Sequence, residues 1–180
     1  MTMPFGPIRQ LGYIVTDIHA AMRQWIDGPG VGPFYYLEND GALAQSGGVQ
    51  IELIQLRDDS PSFFHTFVGK FGEGLHHVAF WTEHFDACVE AALARGYVEI
   101  HHGRSGRGRP DDRFAYFDGG AADGTAIEIS ERGVDKRALF DAIAQAAEGW
   151  DGTRPVRDMA ALLSEITGTG NGTGNGTGPR

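Results

Sequence analysis

The feature that most constrains this chain is an internal repeat. The segment IRQLGYIVTDIHAAM, Ile8 to Met22, lies on LHHVAFWTEHFDACV, Leu75 to Val89, without a gap. In both, a short apolar strand leads through a polar break, Thr16-Asp17 against Thr82-Glu83, into an amphipathic helix. Gln10 meets His77, and Ala20 meets Ala87. The unit ends match as well: GGVQIELIQ, Gly47 to Gln55, aligns with GTAIEISER, Gly124 to Arg132, and sets Glu52 opposite Glu128. Self-similarity of this kind means one supersecondary unit used twice. Short strands punctuated by Gly and Pro fill each unit between its matched ends. The chain therefore reads as α+β, with two tandem βαβββ modules at about residues 8–56 and 75–131 inside one unit of residues 1–133. The second module is longer between its matched positions, and the excess is assigned to the loop HHGRSGRGRPDDR.

Periodicity changes after the second module. Val134 to Glu148 places Leu139, Phe140, Ile143 and Ala147 on one helical stripe, and Met159 to Ile166 predicts a second, shorter helix. GWDGTRPVR between them reads as a turn, so residues 134–166 form a C-terminal helical cap. Residues 167–180 are low-complexity Gly/Thr/Asn, hold six of the 27 glycines, and read as a flexible tail.

Alternation assigns faces. Val49, Ile51 and Leu53 oppose Gln50 and Glu52, while Ile127 and Ile129 oppose Ala126, Glu128 and Ser130. The apolar faces are expected under helices, and the faces with one carboxylate per unit are expected to line something wetter. Gln10, Gly12 and Ile14 project together, as do His77, Ala79 and Trp81. His76 is out of step with His77 and is assigned to the helix-side margin; His101 and His102 are assigned to a loop.

Composition narrows the partners. A formal charge of −9 disfavours nucleic acid and anionic membranes, which select clustered positive charge. One cysteine, Cys88, allows no internal disulfide, and no apolar run is long enough for a membrane helix. A cytoplasmic protein acting on a small molecule is expected, with no nucleic-acid partner and no membrane.

Two runs carry a family resemblance. GEGLHHVAFWTEHFDACVEAALARGY, Gly72 to Tyr97, and VQIELIQ followed by SPSFFHTFVGK resemble the vicinal oxygen chelate superfamily, which includes glyoxalase I, methylmalonyl-CoA epimerase, the extradiol dioxygenases and the bleomycin-resistance proteins. The resemblance covers roughly Ile8 to Glu131. It implies a cupped, mostly antiparallel sheet holding a divalent metal at Gln10, Glu52, His77 and Glu128. That set is similar to the eukaryotic type of glyoxalase I; epimerases usually carry His in the first position and Gln in the second. One imidazole, one amide oxygen and two carboxylates suit Zn, Ni, Co, Mn or Fe and leave positions open for a ligand.

The implied activity is that of a metal-dependent lyase or isomerase, glyoxalase- or epimerase-like, working by proton transfer next to a carbonyl. Glu128 is the first candidate base by resemblance, and Glu52 the second. Trp81, Tyr36 and Phe117 are expected to line the substrate site. Arg113, with Arg104, Arg107 and Arg109, is a candidate clamp for an anionic group. Superfamily members commonly dimerise, so a homodimer is expected. One alternative is a metal-free small-molecule-binding protein of the bleomycin-resistance type. A weaker one is an extradiol-type dioxygenase, which needs two His and one Glu.

Overall fold

The computed structural model describes residues 4–38, 41–58, 60–105 and 110–168. Arg107, Arg109 and the glycine-rich segment from 169 lie outside those residues. The first half runs β1 (Gln10–Ile14), α1 (Ile18–Asp27), β2 (Phe34–Leu37), β3 (Gly41–Ser46) and β4 (Val49–Ile54). After α2 (Phe63–Phe71), the second half repeats the order with β5 (Gly74–Thr82), α3 (Phe85–Leu93), β6 (Val98–Arg104), β7 (Arg113–Asp118) and β8 (Ala126–Glu131). α4 (Val134–Ala147), β9 (Val156–Asp158) and α5 (Met159–Thr167) complete the chain.

The polar break after β1 works as a helix start. Asp17 accepts from the amide of Ala20 at 2.9 Å, and Ser62 and Asp158 cap α2 and α5 in the same way. The second half lacks this device at α3, whose N-cap His84 makes no side-chain capping bond.

Among the described residues, nine strands form one curved, unclosed sheet in the order β6-β7-β8-β5-β1-β4-β3-β2-β9. Pairings are antiparallel except β1–β4, β5–β8 and β2–β9. The two halves meet at the antiparallel β1–β5 pair, so the sheet is α+β in kind, as the repeat predicts. On one face α1 covers Ala42, Ala44, Ile51 and Leu53 with Ile18 and Met22. α3 covers Ala115, Phe117 and Ile129 on the same face with Phe85, Cys88 and Ala92. These are the apolar sides of the alternating strands, where burial supplies the main stabilisation.

The other face is covered from the C-terminal end. Phe140 and Ile143 of α4 and Met159 of α5 pack on Tyr35 and Leu43. GWDGTRPVR is more than a turn, because its last residues enter β9 and extend the sheet beside β2. His101 and His102 also differ from expectation: both lie in β6, paired with Tyr116 and Ala115.

Candidate functional site

Strand register builds the site as two rows across the sheet. One row runs Tyr35, Leu43, Glu52, Gly12, His77, Ala126 over β2, β3, β4, β1, β5 and β8. The next runs Gln50, Gln10, Ala79, Glu128, Tyr116 over β4, β1, β5, β8 and β7. The smallest residues, Gly12 and Ala79, stand at the centre of the rows. A Cβ on Gly12 would fall 1.9 Å from His77 Cε1, so the missing side chain is the space the imidazole fills.

The structure brings Glu52, His77 and Glu128 into contact and sets Gln10 on the adjacent row of the same face. His77 is fully buried, with Nε2 3.1 Å from Glu52 Oε2 and 3.2 Å from Glu128 Oε2. Neither approach makes a well-formed hydrogen bond, so Nε2 is a buried polar atom facing two carboxylates without a satisfied partner. Burial alone would lower the His77 pKa; contact with Glu52 and the charges on Glu128 and Glu52 outweigh it and raise it. Gln10 donates through Nε2 to Gln50 Oε1 at 2.8 Å, which leaves Gln10 Oε1 as its ligand-capable atom. Among the described residues no three His, Cys, Asp or Glu side chains already surround a common point as a metal cage. The donor chemistry nevertheless fits a dication: carboxylates from both halves meet at the imidazole nitrogen, and an amide oxygen is carried on the adjacent row of the same face.

Two residues behind the site complete it. β5 carries an extra residue opposite β1, because Gly12 pairs with His77 and Tyr13 with Leu75. The bulge residue is His76, fully buried with its Nδ1 3.1 Å from His77 Nδ1. It is therefore not at the margin that strict alternation assigns. Phe63, Phe64 and Phe67 of α2 surround it, and burial first, then His77, pushes its pKa down to about 3. Tyr116 lies 5.2 Å from the His77 ring and is the cross-strand neighbour of Glu128. Burial first, then the charges of Glu128 and Glu52, raises its pKa well above that of an ordinary phenol, so it stays a neutral donor.

The residues expected to line a substrate are not brought to the same place. Phe117 pairs with Ile127 and packs under α3, on the opposite face from Glu128. Its neighbour Tyr116 has the right parity. Tyr36 is likewise one residue out: it packs toward α1 and its hydroxyl accepts from Arg57, whereas Tyr35 joins the site's row. Trp81 is on the site's side but stacks on Phe140 at 4.4 Å, beneath α4. Arg113 forks onto Glu131 at 2.7 and 2.9 Å, bonds Asp86 and stands over Phe85. Its charge is matched by Glu131 and Asp86, so it is no free clamp. His102 pairs with Glu99 at 2.6 Å on the surface.

Two βαβββ halves joined strand to strand, with polar side chains from both gathered on one face, define a mixed α/β scaffold with a central site. Residues 9–117 match the profile of the glyoxalase/bleomycin resistance protein/dioxygenase superfamily, and the chain belongs to that superfamily. It is 32% identical over 91 residues to the uncharacterized protein YqjC of Bacillus subtilis (strain 168), a match over 50% of this chain and 63% of the relative's length. Among solved structures, methylmalonyl-CoA epimerase from Mycobacterium tuberculosis superposes with a TM-score of 0.59 at 22% identity, over 77% of this chain and 95% of that one. A hypothetical protein from Bacillus halodurans C-125 gives 0.57 at 21% identity, over 71% and 95%. A mutant of 4-hydroxymandelate synthase from Streptomyces coelicolor gives 0.57 at 21% identity, over 71% and 38%. These similarities establish the fold.

Proposed function

We infer that the protein is a metal-dependent lyase or isomerase that moves a proton next to the carbonyl of a small molecule. The observation that carries this reading is His77 Nε2, buried, unsatisfied and facing carboxylates from both halves. Gln10 through Oε1, Glu52, His77 through Nε2 and Glu128 would hold the cation, with Zn, Ni, Co, Mn and Fe all compatible. When bound, the cation supplies Lewis-acid stabilisation of negative charge on a carbonyl oxygen.

The proton transfer falls to a carboxylate. Glu52 has a side chain 26% exposed and forms part of a cavity floor, whereas the Glu128 side chain is 8% exposed and faces His77. Glu52 is thus the group that reaches a ligand, and it takes and returns the proton on the carbon beside the carbonyl. Glu128 keeps its place. This reverses the order that the family resemblance implies. The test is deuterium exchange from D₂O into α-positions of a panel of small carbonyl compounds, followed by proton NMR on the metal-loaded protein. Exchange is expected for the wild type and not for Glu52→Gln; exchange at the wild-type rate in that variant removes Glu52 from the role.

A second reading, metal-free binding of a small molecule, is supported by the direct approach of His77 to both carboxylates and by an apolar cavity wall. It requires full ligand affinity after chelation, with no exchange. The reading also includes a homodimer, as is common in the superfamily, which sedimentation would check. The lone, buried, free Cys88 is consistent with a cytoplasmic setting, and no helix of the described residues is long and apolar enough to cross a membrane.

A further inference from the structure

The helices α4 and α5 lie beyond residues 9–117, the part of the chain that matches the superfamily, yet they build one side of the site. Between them and the sheet is a cavity of about 200 Å³ with Gln10 and Glu52 in its floor. Leu43, the cross-strand partner of Glu52, starts an apolar wall. Leu139 and Phe140 of α4 and Met159, Leu163 and Ile166 of α5 continue it. A group seated at Glu52 therefore has aliphatic and aromatic side chains as its next neighbours.

The charges around the cavity point the same way. Glu52, Asp112 and Asp135 line it, and Lys136 is the one cation among the described residues that do so. The Lys136 ammonium lies 2.9 Å from Asp112 Oδ1 and donates to Ser130 Oγ at 3.1 Å, so it is matched within the protein. Even with Glu52 assigned to the central cation, Asp112 and Asp135 stand against that single ammonium. A carboxylate on the far end of a ligand would give up its hydration to an apolar wall and to carboxylates of its own sign. An uncharged, apolar end gains by the same burial.

We propose that the C-terminal cap sets substrate choice: the site takes a carbonyl compound whose remaining part is uncharged and apolar. The carbonyl end lies toward Gln10 and Glu52, and the apolar body lies along Leu139, Met159 and Leu163. Few polar groups at one end fix orientation, and the wall supplies the affinity. Leu163, half-buried on α5, is a specificity-determining residue in this arrangement. The proposal rests on the metal-assisted reading above and adds the substrate class.

The test is calorimetric titration of the full-length protein, with and without Mn²⁺, using 2-pentanone, 2-hexanone, 2-heptanone and 6-oxoheptanoate, in which a carboxylate replaces the terminal methyl group of 2-heptanone. Affinity is expected to rise with each methylene, by up to about fourfold as burial of one CH₂ allows. The ketone 2-heptanone is expected to bind about tenfold or more tightly than the oxo acid, the cost of setting an unpaired carboxylate against the wall. Leu163→Lys places a cation in the wall and is expected to reverse that preference while keeping the wild-type Mn²⁺ stoichiometry and melting temperature. If that variant does not fold, Leu163→Gln is read instead, and it is expected to flatten the methylene series. No ketone binding, affinity indifferent to chain length, a wild-type preference for the acid, or an unchanged series and preference in the folded variant overturns the proposal. If Mn²⁺ does not bind but the Leu163-dependent selectivity persists, the metal reading falls and the role of the cap stands. If Mn²⁺ binds and the selectivity is absent, the role of the cap alone falls.

Discussion

Gly12 and His76 decide whether His77 can present a ligand atom, and neither is a ligand itself. Gly12→Ala would drive a methyl group into the imidazole, an overpacking expected to cost about 1–3 kcal/mol and to abolish metal binding; chemical denaturation and metal titration check both. For His77 Nε2 to offer its lone pair, the proton must sit on Nδ1, and the acceptor for it is His76 Nδ1 at 3.1 Å. His76→Phe keeps the aromatic packing but removes the acceptor, so metal affinity is expected to fall about 10- to 100-fold with folding retained. His76→Asn, which restores an acceptor near the Nδ1 position, is expected to recover much of that loss; equal affinities in the two variants would make His76 a packing residue only. The four polar positions proposed for the site stand out because each sits at a matched point of the repeat, and their reading as ligands came from the family resemblance. Tyr116 was within reach too, since alternation on β7 places it, and not Phe117, beside Glu128. His76 was not legible, because a one-residue bulge changes side-chain facing and leaves no mark in an apolar run.

At the level of elements, α1, α3, α4 and α5 followed from apolar periodicity, whereas α2 and β9 did not. The three residues of β9, Val156, Arg157 and Asp158, alternate too briefly to signal a strand, and only pairing with β2 makes them one. What α4 does was equally hidden, because the stripe of Leu139, Phe140 and Ile143 says that it is buried but not on which face of the sheet. Phe140→Ala removes the ring stacked on Trp81 and is expected to destabilise the fold by about 3–5 kcal/mol in denaturant titrations. The β7–β8 pair gives a pH-dependent case. The Arg113 guanidinium, hydrogen-bonded to Glu131, holds that carboxyl below its ordinary value of 4.5. A depressed folded-state pKa contributes stability above the unfolded value and loses it as pH falls through the folded one. Glu131→Gln is therefore expected to cost about 1 kcal/mol near neutrality, discounted for partial exposure, and progressively less as pH drops below 4.5. A cost independent of pH would remove the ion pair from this role.

For the whole molecule, duplication explains why one site collects from both halves. Each half supplies a first strand and a last strand in parallel, and the antiparallel β1–β5 junction brings the two carboxylate-bearing strands to either side of one centre. The C-terminal cap then closes over the same face. The central claim is that this centre holds a divalent cation, and metal stoichiometry tests it most directly. Elemental analysis of the full chain after loading and desalting is expected to give close to one equivalent per chain, and near zero for His77→Ala. Less than about a tenth of an equivalent in the wild type, or an undiminished equivalent in folded His77→Ala, would contradict the account.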